Sequence, residues 1–301
     1  MLPAEQLPVL SWSEWQPLPA PAGPGNAEVL AETLDGGQAF RWNRQPGDVW
    51  FGVWSGCVAE IRLTKYGCQW RAPAVLRVSV SKKIIRYLAA DQDPAAQVDR
   101  LPWRSDAHLA RCLQAFPGLR ILRQPFGETL LGFLCSATKQ IVQIKQMMAL
   151  LARRHGAEIV PGIHRLPTWP ELALLTEAEL RACLLGFRAR YIHQTALFLA
   201  AHPGWLEETE GLPYAEAKAR LCSLPGVGEK VADCVLLFGA GRLEAFPVDV
   251  WIIRTMGLRY GLQGWKPAQI AHFGRTHFGP LAGLAQQYLF AAERRAKKTR
   301  I

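Results

Sequence analysis

The segment LCSLPGVGEKVADC, residues 221–234, places one proline and two glycines between two apolar stretches. The preceding PYAEAKARLCSL predicts one helix and the following EKVADCVLLFGAG a second, because residues 225–228 cannot continue a helix. Gly226 and Gly228 allow a tight connection with no side chain over its backbone. The free N–H groups that start the second helix favour an anion such as phosphate. The pattern favours a helix–hairpin–helix phosphate clamp at about residues 214–239 over an ordinary αα-hairpin.

Two chemically capable residues follow this hairpin closely. Lys230 falls in the first turn of the second helix, where burial and the positive end of the helix dipole favour a neutral, nucleophilic amine. The segment EAFPVDVWIIRTMG predicts extended chain and then a helix that Asp249 caps and Gly257 ends. The same dipole is expected to keep the Asp249 carboxylate ionised. Together they suit cleavage of an N-glycosidic bond, although a lysine that only contacts phosphate and an aspartate that only caps are the alternatives.

The charge balance favours a polyanionic partner. Lysine and arginine number 35 against 25 aspartates and glutamates, which gives a net charge of +10. This excess suits nucleic acid, and no uncharged apolar run is long enough to span a bilayer, so we expect no membrane partner. The seven cysteines are scattered singly, which disfavours an iron–sulfur or zinc site. We expect no metal held by side chains and no cofactor.

Residues 1–81 are typical of short strands. The segments QAFRWN, VWFGVWS, CVAEIRLT and CQWRA are rich in β-branched and aromatic residues. Three dipeptides are expected to form hairpin turns, namely Gly36-Gly37, Pro46-Gly47 and Ser55-Gly56. The amino-terminal MLPAEQLPVLSW lacks a signal-peptide pattern, so we expect an intracellular, DNA-associated protein, and nothing in the sequence suggests an oligomer.

The remainder of the chain is predicted to be helical. Residues 82–120 read as a transition, and from Gln124 onward apolar residues recur at helical spacing with a polar interruption at residues 136–140. Thr176 and Glu179 form a capping box that opens a helix, which Gly186 can close. The sequence therefore predicts an α+β protein, with a β-rich amino-terminal domain over residues 1–115 and a helical domain over residues 116–301.

These motifs resemble the helix–hairpin–helix DNA glycosylase superfamily and, within it, the 8-oxoguanine DNA glycosylase/lyase (OGG) family. LPGVGEKVADC followed by PVDV is close to that family's signature. Four more segments extend the resemblance over most of the chain, in the right order: GGQAFRW (36–42), LRQPFGETLLGFLCS (122–136), LGFRARY (185–191) and GPLAGLAQQYLF (279–290). The resemblance implies a TBP-like β-rich domain, a helical catalytic domain and bifunctional excision of 8-oxoguanine from duplex DNA.

The resemblance also implies a role for each residue that matches the family's motifs. Lys230 would be the Schiff-base nucleophile and Asp249 the catalytic carboxylate. Cys234 and Phe290 would sandwich the flipped base, Gln286 would bond its pairing edge, and the Gly37 carbonyl would accept the N7–H of the oxidised purine. The resemblance further implies that Arg188 reads the unpaired cytosine and that Phe187 is the aromatic wedge beside it. The hairpin residues Gly226, Val227 and Gly228 would contact DNA. The backbone carbonyls of Cys222, Leu224 and Val227 could hold a monovalent cation.

Three positions depart from the family pattern. Thr138 stands where the family usually has an asparagine that fills the vacated stack, and Gln143 where eukaryotic members have a second cytosine-reading arginine. Trp251 stands where a phosphate-binding histidine often sits. These changes predict weaker selectivity for the opposite base, with excision itself retained.

Two other functions fit parts of the sequence. A helix–hairpin–helix glycosylase for another damaged base is the nearer alternative. Lys230 argues against the monofunctional alkylpurine enzymes, and the lack of cysteines after Cys234 argues against the branch with an iron–sulfur cluster. A non-catalytic DNA-binding module is the other, and the presence of both Lys230 and Asp249 argues against it, because phosphate clamping needs neither.

Overall fold

The computed structural model describes residues 10–19 and 26–298, and it has an antiparallel sheet followed by a mostly helical part. The five-stranded sheet has the order β1-β5-β4-β3-β2. Its strands are β1 (Gln16–Pro17), β2 (Trp42–Gln45), β3 (Val49–Trp54), β4 (Cys57–Thr64) and β5 (Gly67–Arg71). A small hairpin of β6 (Glu158–Val160) and β7 (Ile163–His164) interrupts the helical part and was not predicted. The predicted α+β class is confirmed.

The helices of the described residues begin in the amino-terminal part and dominate from residue 126 onward. They are α1 (Ala27–Asp35), α2 (Arg77–Tyr87), α3 (Pro94–Asp99), α4 (Ala107–Ala115), α5 (Phe126–Leu134), α6 (Ile141–His155), α7 (Trp169–Ala173), α8 (Glu177–Leu180), α9 (Arg188–Ala201), α10 (Trp205–Gly211), α11 (Tyr214–Cys222), α12 (Glu229–Phe238), α13 (Val250–Tyr260), α14 (Pro267–Phe278) and α15 (Ala282–Lys298). Of the helices described here, none is both long enough and apolar enough to cross a bilayer.

The sheet packs one face on α2 through a layer of aromatic side chains. The Trp42 indole donates a hydrogen bond to the Tyr87 hydroxyl at 3.0 Å, which satisfies two polar atoms inside an apolar layer. Gly52 on β3 makes room for that indole, because a Cβ there would lie 2.4 Å from its ring. A larger apolar core fills the helical part and includes α4, α5, α12 and α15. The domain boundary at residue 116 stays a prediction.

The predicted turns have mixed outcomes. Ser55-Gly56 joins β3 to β4 and Pro46-Gly47 lies between β2 and β3, as expected. Gly36-Gly37 is not a hairpin turn, because it follows α1. This helix was not predicted, since residues 1–81 were interpreted as short strands. The side chain of Asn26 caps α1 by accepting a hydrogen bond from Val29 N at 2.9 Å.

The helix that Asp249 caps is longer than predicted. It runs through Gly257, which is buried against Gln263, and ends at Gly261 with φ +71°. Of these two glycines, Gly261 has the left-handed conformation that ends helices, whereas Gly257 does not and lies inside the helix. The capping box at Thr176 and Glu179 is present, and the irregular turn after α8 ends at Gly186 with φ +58°.

All seven cysteines are free thiols. Six are buried and Cys222 is half-buried. Burial raises the pKa of every one of these thiols, to about 11 for Cys112 and to about 12 for Cys68, Cys135 and Cys234.

Candidate active site

A cavity of about 840 Å³ lies between the amino-terminal part and the helices. Side chains and backbone from α1, β2, β3, α5, α6, α12, α13 and α15 form its wall. The cavity brings together five residues predicted from the sequence, which are Gly37, Lys230, Asp249, Trp251 and Phe290. Residues separated by more than two hundred positions therefore share one concave site, as expected of a place where substrate binds.

Lys230 enters the cavity from the first turn of α12. Its Nζ lies 5.2 Å from the centroid of the Phe133 ring. One turn further along α12, the Cys234 thiol is 3% exposed, and the Lys230 charge lowers its pKa only in part. Burial raises the pKa of Cys234 to about 12, so this neighbour is a neutral thiol. An aromatic ring and an uncharged thiol therefore flank the amine.

Asp249 enters the cavity from the amino terminus of α13, which it caps. Its Oδ1 accepts hydrogen bonds from Trp251 N at 3.0 Å and Ile252 N at 2.9 Å. Burial raises the pKa of this carboxyl above its usual value, and the Ile252 N–H and the Lys230 charge lower it only in part. Desolvation therefore outweighs the effect of the helix terminus on the pKa of Asp249, and the expectation that this carboxylate is kept ionised stays a prediction.

Gly37 and Phe290 lie side by side in the wall of the cavity. Gly37 has φ +106°, a conformation that side chains rarely adopt. A Cβ at this position would lie 3.2 Å from Ile141 Cδ1 and 3.9 Å from Phe290 Cζ. The backbone of Gly37 therefore lies directly beside the aromatic ring predicted to stack on a base.

The two other predicted base-recognition residues, Gln286 and Cys234, do not line the cavity. Gln286 is 4% exposed. Gln286 Nε2 donates to the Pro247 carbonyl at 3.2 Å, while its buried Oε1 has no hydrogen-bond partner among the described residues. A buried amide oxygen without a partner costs free energy, and it leaves Gln286 with an unused hydrogen-bond acceptor.

The residues predicted to read the opposite base form a separate cluster at the α5–α6 loop. Arg188 is 3% exposed and donates to the Leu185 carbonyl at 3.1 Å and to Thr138 Oγ1 at 2.9 Å. Its guanidinium also donates to the Ala137 carbonyl. Thr138 has φ +56°, which is strained for a β-branched residue. The neighbouring Phe187 is 51% exposed and free to contact a partner.

Gln143 is exposed and has a local role in this structure. Its side-chain oxygen accepts a hydrogen bond from Gln140 N at 3.1 Å and so helps to cap α6. The capping bond keeps the amide of Gln143 in the first turn of α6, directly after the loop that carries Thr138.

The hairpin between α11 and α12 has the predicted form. Gly226 has φ +77°, and a Cβ there would lie 2.8 Å from the Tyr191 ring. Gly228 has no such neighbour among the described atoms within 4 Å of a Cβ. Val227 N donates to the Leu224 carbonyl at 3.1 Å. The cation on the carbonyls of Cys222, Leu224 and Val227 stays a prediction. Among residues 10–19 and 26–298, no group of three acidic, histidine or cysteine side chains is suited to a metal ion.

Sequence reasoning missed several charged residues of the cavity wall. Asp35, Lys145 and Arg294 all line the cavity. The sequence signal for this group is the helical spacing of acidic residues in the segment that forms α1. That spacing does not reveal the basic partners, which lie far away in the chain.

Comparisons with known proteins identify the family that this chain resembles. The family profile described as 8-oxoguanine DNA glycosylase, N-terminal domain, matches residues 25–130. The N-glycosylase/DNA lyase OGG1 of Arabidopsis thaliana is 37% identical over 211 residues, which are 65% of this chain and 58% of that protein. The probable N-glycosylase/DNA lyase of Methanothermobacter thermautotrophicus is 31% identical over 64% of this chain and 68% of its own length.

A solved structure extends the match over nearly the whole chain. The Clostridium acetobutylicum 8-oxoguanine glycosylase/lyase, in complex with double-stranded DNA containing cytosine opposite 8-oxoguanine, superposes with a TM-score of 0.83. It is 30% identical and covers 89% of this chain and 92% of its own. With the hairpin, the cavity and the order of motifs, these matches show that the chain belongs to the 8-oxoguanine DNA glycosylase/lyase (OGG) family of the helix–hairpin–helix superfamily.

Proposed function

We propose that this protein is a bifunctional DNA glycosylase and abasic-site lyase that excises 8-oxoguanine from duplex DNA. The observation that carries the proposal is the convergence of Lys230, Asp249, Gly37 and Phe290 on one cavity in a member of the OGG family. The relatives are themselves named N-glycosylase/DNA lyases, and the bacterial complex holds DNA with the same lesion.

The proposed chemistry begins at Lys230. Its neutral amine attacks the anomeric carbon C1′ of the damaged nucleotide, and the bond from C1′ to the base breaks. The electron pair leaves with the base, which takes up a proton. The sugar ring then opens to an imine between Lys230 and C1′. Loss of a proton from C2′ expels the 3′ phosphate, and water finally hydrolyses the imine.

Asp249 is proposed to act on the charge that develops in this reaction. As the base departs, positive charge builds on the sugar, and a fixed carboxylate beside it stabilises that charge. The hydrogen bonds from Trp251 N and Ile252 N hold the carboxylate in place without neutralising it. Its position on the wall of the cavity supports this role.

The base pocket is proposed to combine stacking with a single decisive acceptor. 8-Oxoguanine carries an N7–H that guanine lacks, so one fixed carbonyl at Gly37 can distinguish the two bases. Phe290 beside it supplies one stacking face, and Cys234 is assigned the other. The buried, unpartnered Oε1 of Gln286 is available to a donor on the pairing edge of a base that has flipped out of the duplex.

The proposed partner is double-stranded DNA, bound by a monomer inside the cell. The net charge of +10 favours a phosphate backbone, and the hairpin at Gly226 and Gly228 supplies N–H groups for it. Arg188, Phe187 and Thr138 are proposed to meet the unpaired cytosine, with Gln143 in the place of a second arginine. One arginine in place of two is expected to relax the choice of opposite base by about tenfold or more.

Borohydride trapping on duplex DNA with one 8-oxoguanine opposite cytosine tests this function. Wild-type protein should excise the base and leave a covalent adduct, because reduction fixes an imine. Lys230→Gln should bind the same DNA but lose both excision and trapping. Lys82→Gln, which changes an exposed lysine on α2, is the matched control and should behave as wild type.

Full trapping by Lys230→Gln would overturn the assignment of the nucleophile. Trapping on a duplex with a different damaged base, and none with 8-oxoguanine, would move the protein to another lesion. Binding with neither excision nor an adduct on any damaged duplex would identify a non-catalytic module.

A further inference from the structure

Helix α1 carries acidic side chains at three positions that share one face. Glu28, Glu32 and Asp35 are four and three residues apart, which places them in a row along a helix. Each forms an ion pair with a distant basic residue of the helical part. The pairs are Glu28 with Arg295 at 3.4 Å, Glu32 with Arg294 at 2.9 Å, and Asp35 with Lys145 at 2.7 Å.

The Asp35–Lys145 pair lies at the rim of the cavity. The two side chains are 35% and 18% exposed, and both line the cavity wall. Lys145 lies one helical turn after Ile141, whose Cδ1 is 3.2 Å from the position of a Cβ on Gly37. Asp35 precedes Gly37 by two residues in the chain. The pair therefore ties the backbone just before Gly37 to the part of α6 that contacts Gly37.

The Glu32–Arg294 pair has the same relation to Phe290. Its side chains are only 10% and 15% exposed. Arg294 lies one turn after Phe290 on α15, and its guanidinium carbon is 5.8 Å from the centroid of that ring. Gly36 is packed against the same carboxylate, because a Cβ on Gly36 would lie 2.5 Å from Glu32 Oε1.

We propose that the Glu32–Arg294 and Asp35–Lys145 pairs are positioning residues for base discrimination, an inference that rests on the proposed function. They hold the Gly37 carbonyl and the Phe290 ring at a fixed separation. The N7–H of 8-oxoguanine therefore reaches the Gly37 carbonyl only when the base is fully inside the pocket. Partly buried pairs are suited to this task, because removing one partner leaves an uncompensated charge that moves the backbone. A misplacement of about 1 Å can cost as much as a hundredfold in rate.

The lyase step separates this role from a general effect on folding. Cleavage of DNA that already contains an abasic site needs Lys230 and the sugar but no base recognition. Loss of a positioning pair should therefore slow excision of 8-oxoguanine and leave cleavage of an abasic site unchanged. A pair that only stabilises the fold or binds DNA would change both rates together.

Single-turnover rates of Asp35→Asn, Lys145→Met and Arg294→Met provide the test, with duplex DNA that carries either 8-oxoguanine or a preformed abasic site. Each variant should lose about tenfold to a hundredfold in excision and keep the wild-type rate of abasic-site cleavage. The double exchange Asp35→Lys with Lys145→Asp should recover part of the lost excision. Glu28→Gln, which breaks the exposed pair at the far end of α1, is the matched control and should keep both rates.

Equal losses of both rates, or wild-type excision in all three variants, would overturn the positioning role. Amide hydrogen exchange of residues 36–41 without DNA tests the pairs independently of substrate. Faster exchange in Asp35→Asn than in Glu28→Gln supports the proposal, and equal exchange contradicts it. Failure of the proposed function has a different result, because the wild-type protein would then leave 8-oxoguanine in place.

Discussion

Two aspartates in this molecule occupy the same local position and have opposite electrostatic environments. Asp106 caps α4, and its Oδ1 accepts a hydrogen bond from Leu109 N at 2.8 Å. Asp249 caps α13 with two bonds of the same kind. The second oxygen of Asp106 accepts from the Tyr260 hydroxyl at 2.9 Å and contacts His277 Nε2 at 3.1 Å. The carboxylate of Asp249 instead lines the cavity.

The pKa of each carboxyl follows from this difference. Burial alone would raise the pKa of Asp106, but the hydrogen bonds from Leu109, His277 and Tyr260 lower it below its usual value. For Asp249 burial prevails and raises the pKa. The capping aspartate Asp106 stabilises the fold, because both of its oxygens have hydrogen-bond partners. The capping aspartate Asp249 is available for chemistry, because its carboxylate faces a substrate cavity.

The largest expected effect is on the activity of Asp249→Asn. Asparagine caps a helix about as well as aspartate, but it carries no charge to stabilise the sugar cation. Excision should fall by about a hundredfold or more, while the thermal midpoint stays equal or rises, because the fold no longer buries a charge. Single-turnover assays and calorimetry on the same preparation measure both. Near-normal excision would make Asp249 a cap only.

Asp106→Ala should have the opposite profile. The change removes a cap and leaves the Tyr260 hydroxyl in a half-buried site without its acceptor. We expect a loss of about 2–4 kcal/mol in the free energy of unfolding, measured by denaturant titration. Excision well below the melting temperature should stay near wild type. A large loss of excision with an intact fold would show that Asp106 also serves the cavity.

The pH dependence of stability should distinguish the two residues by sign. Because the folded-state pKa of Asp106 is lowered, its stabilisation is present above the usual aspartate pKa and is lost as the pH falls through the folded value. Because the pKa of Asp249 is raised, its ionisation costs stability above the folded value, and this cost disappears in acid. From neutral to acidic pH, the stability of wild type should therefore fall relative to Asp106→Ala and rise relative to Asp249→Asn. Parallel curves would contradict the assignment.

The smallest effect is expected from Tyr260→Phe. This change removes one hydrogen bond to Asp106 and leaves the bonds from Leu109 N and His277. The free energy of unfolding should fall by about 1 kcal/mol, with unchanged excision. A loss of unfolding free energy as large as that of Asp106→Ala would mean that the hydrogen bond from the Tyr260 hydroxyl accounts for the whole stabilising effect of Asp106.

Local sequence patterns were sufficient for the parts of the site that lie within one motif. The proline and glycines at residues 225–228 stop one helix and start another, which places Lys230 in a first turn wherever the hairpin packs. Asp249 was predictable as a cap because a helical pattern begins directly after it. Gly257 misled the prediction of the helix end, because glycine alone does not show whether a helix stops or packs closely.

Contacts between distant segments could not be predicted in this way. Asp106 is followed by an apolar helix, so its capping role was open to prediction, but Tyr260 and His277 lie 154 and 171 positions away. The partners of Glu32 and Asp35 are equally remote, at 262 and 110 positions. Such pairs depend on how the helices pack, and one sequence read by itself carries no record of that packing.

The seven protonated thiols, six of them buried, have a consequence for an enzyme proposed to repair oxidative damage. Peroxides attack the thiolate form of cysteine, and a raised pKa leaves very little thiolate at neutral pH. Burial further limits the access of an oxidant to six of the seven sulfur atoms. The oxidants that create 8-oxoguanine therefore find few reactive thiols in this protein. Under the proposed function, the sulfur atoms of this protein are thus protected from the stress that produces its substrate.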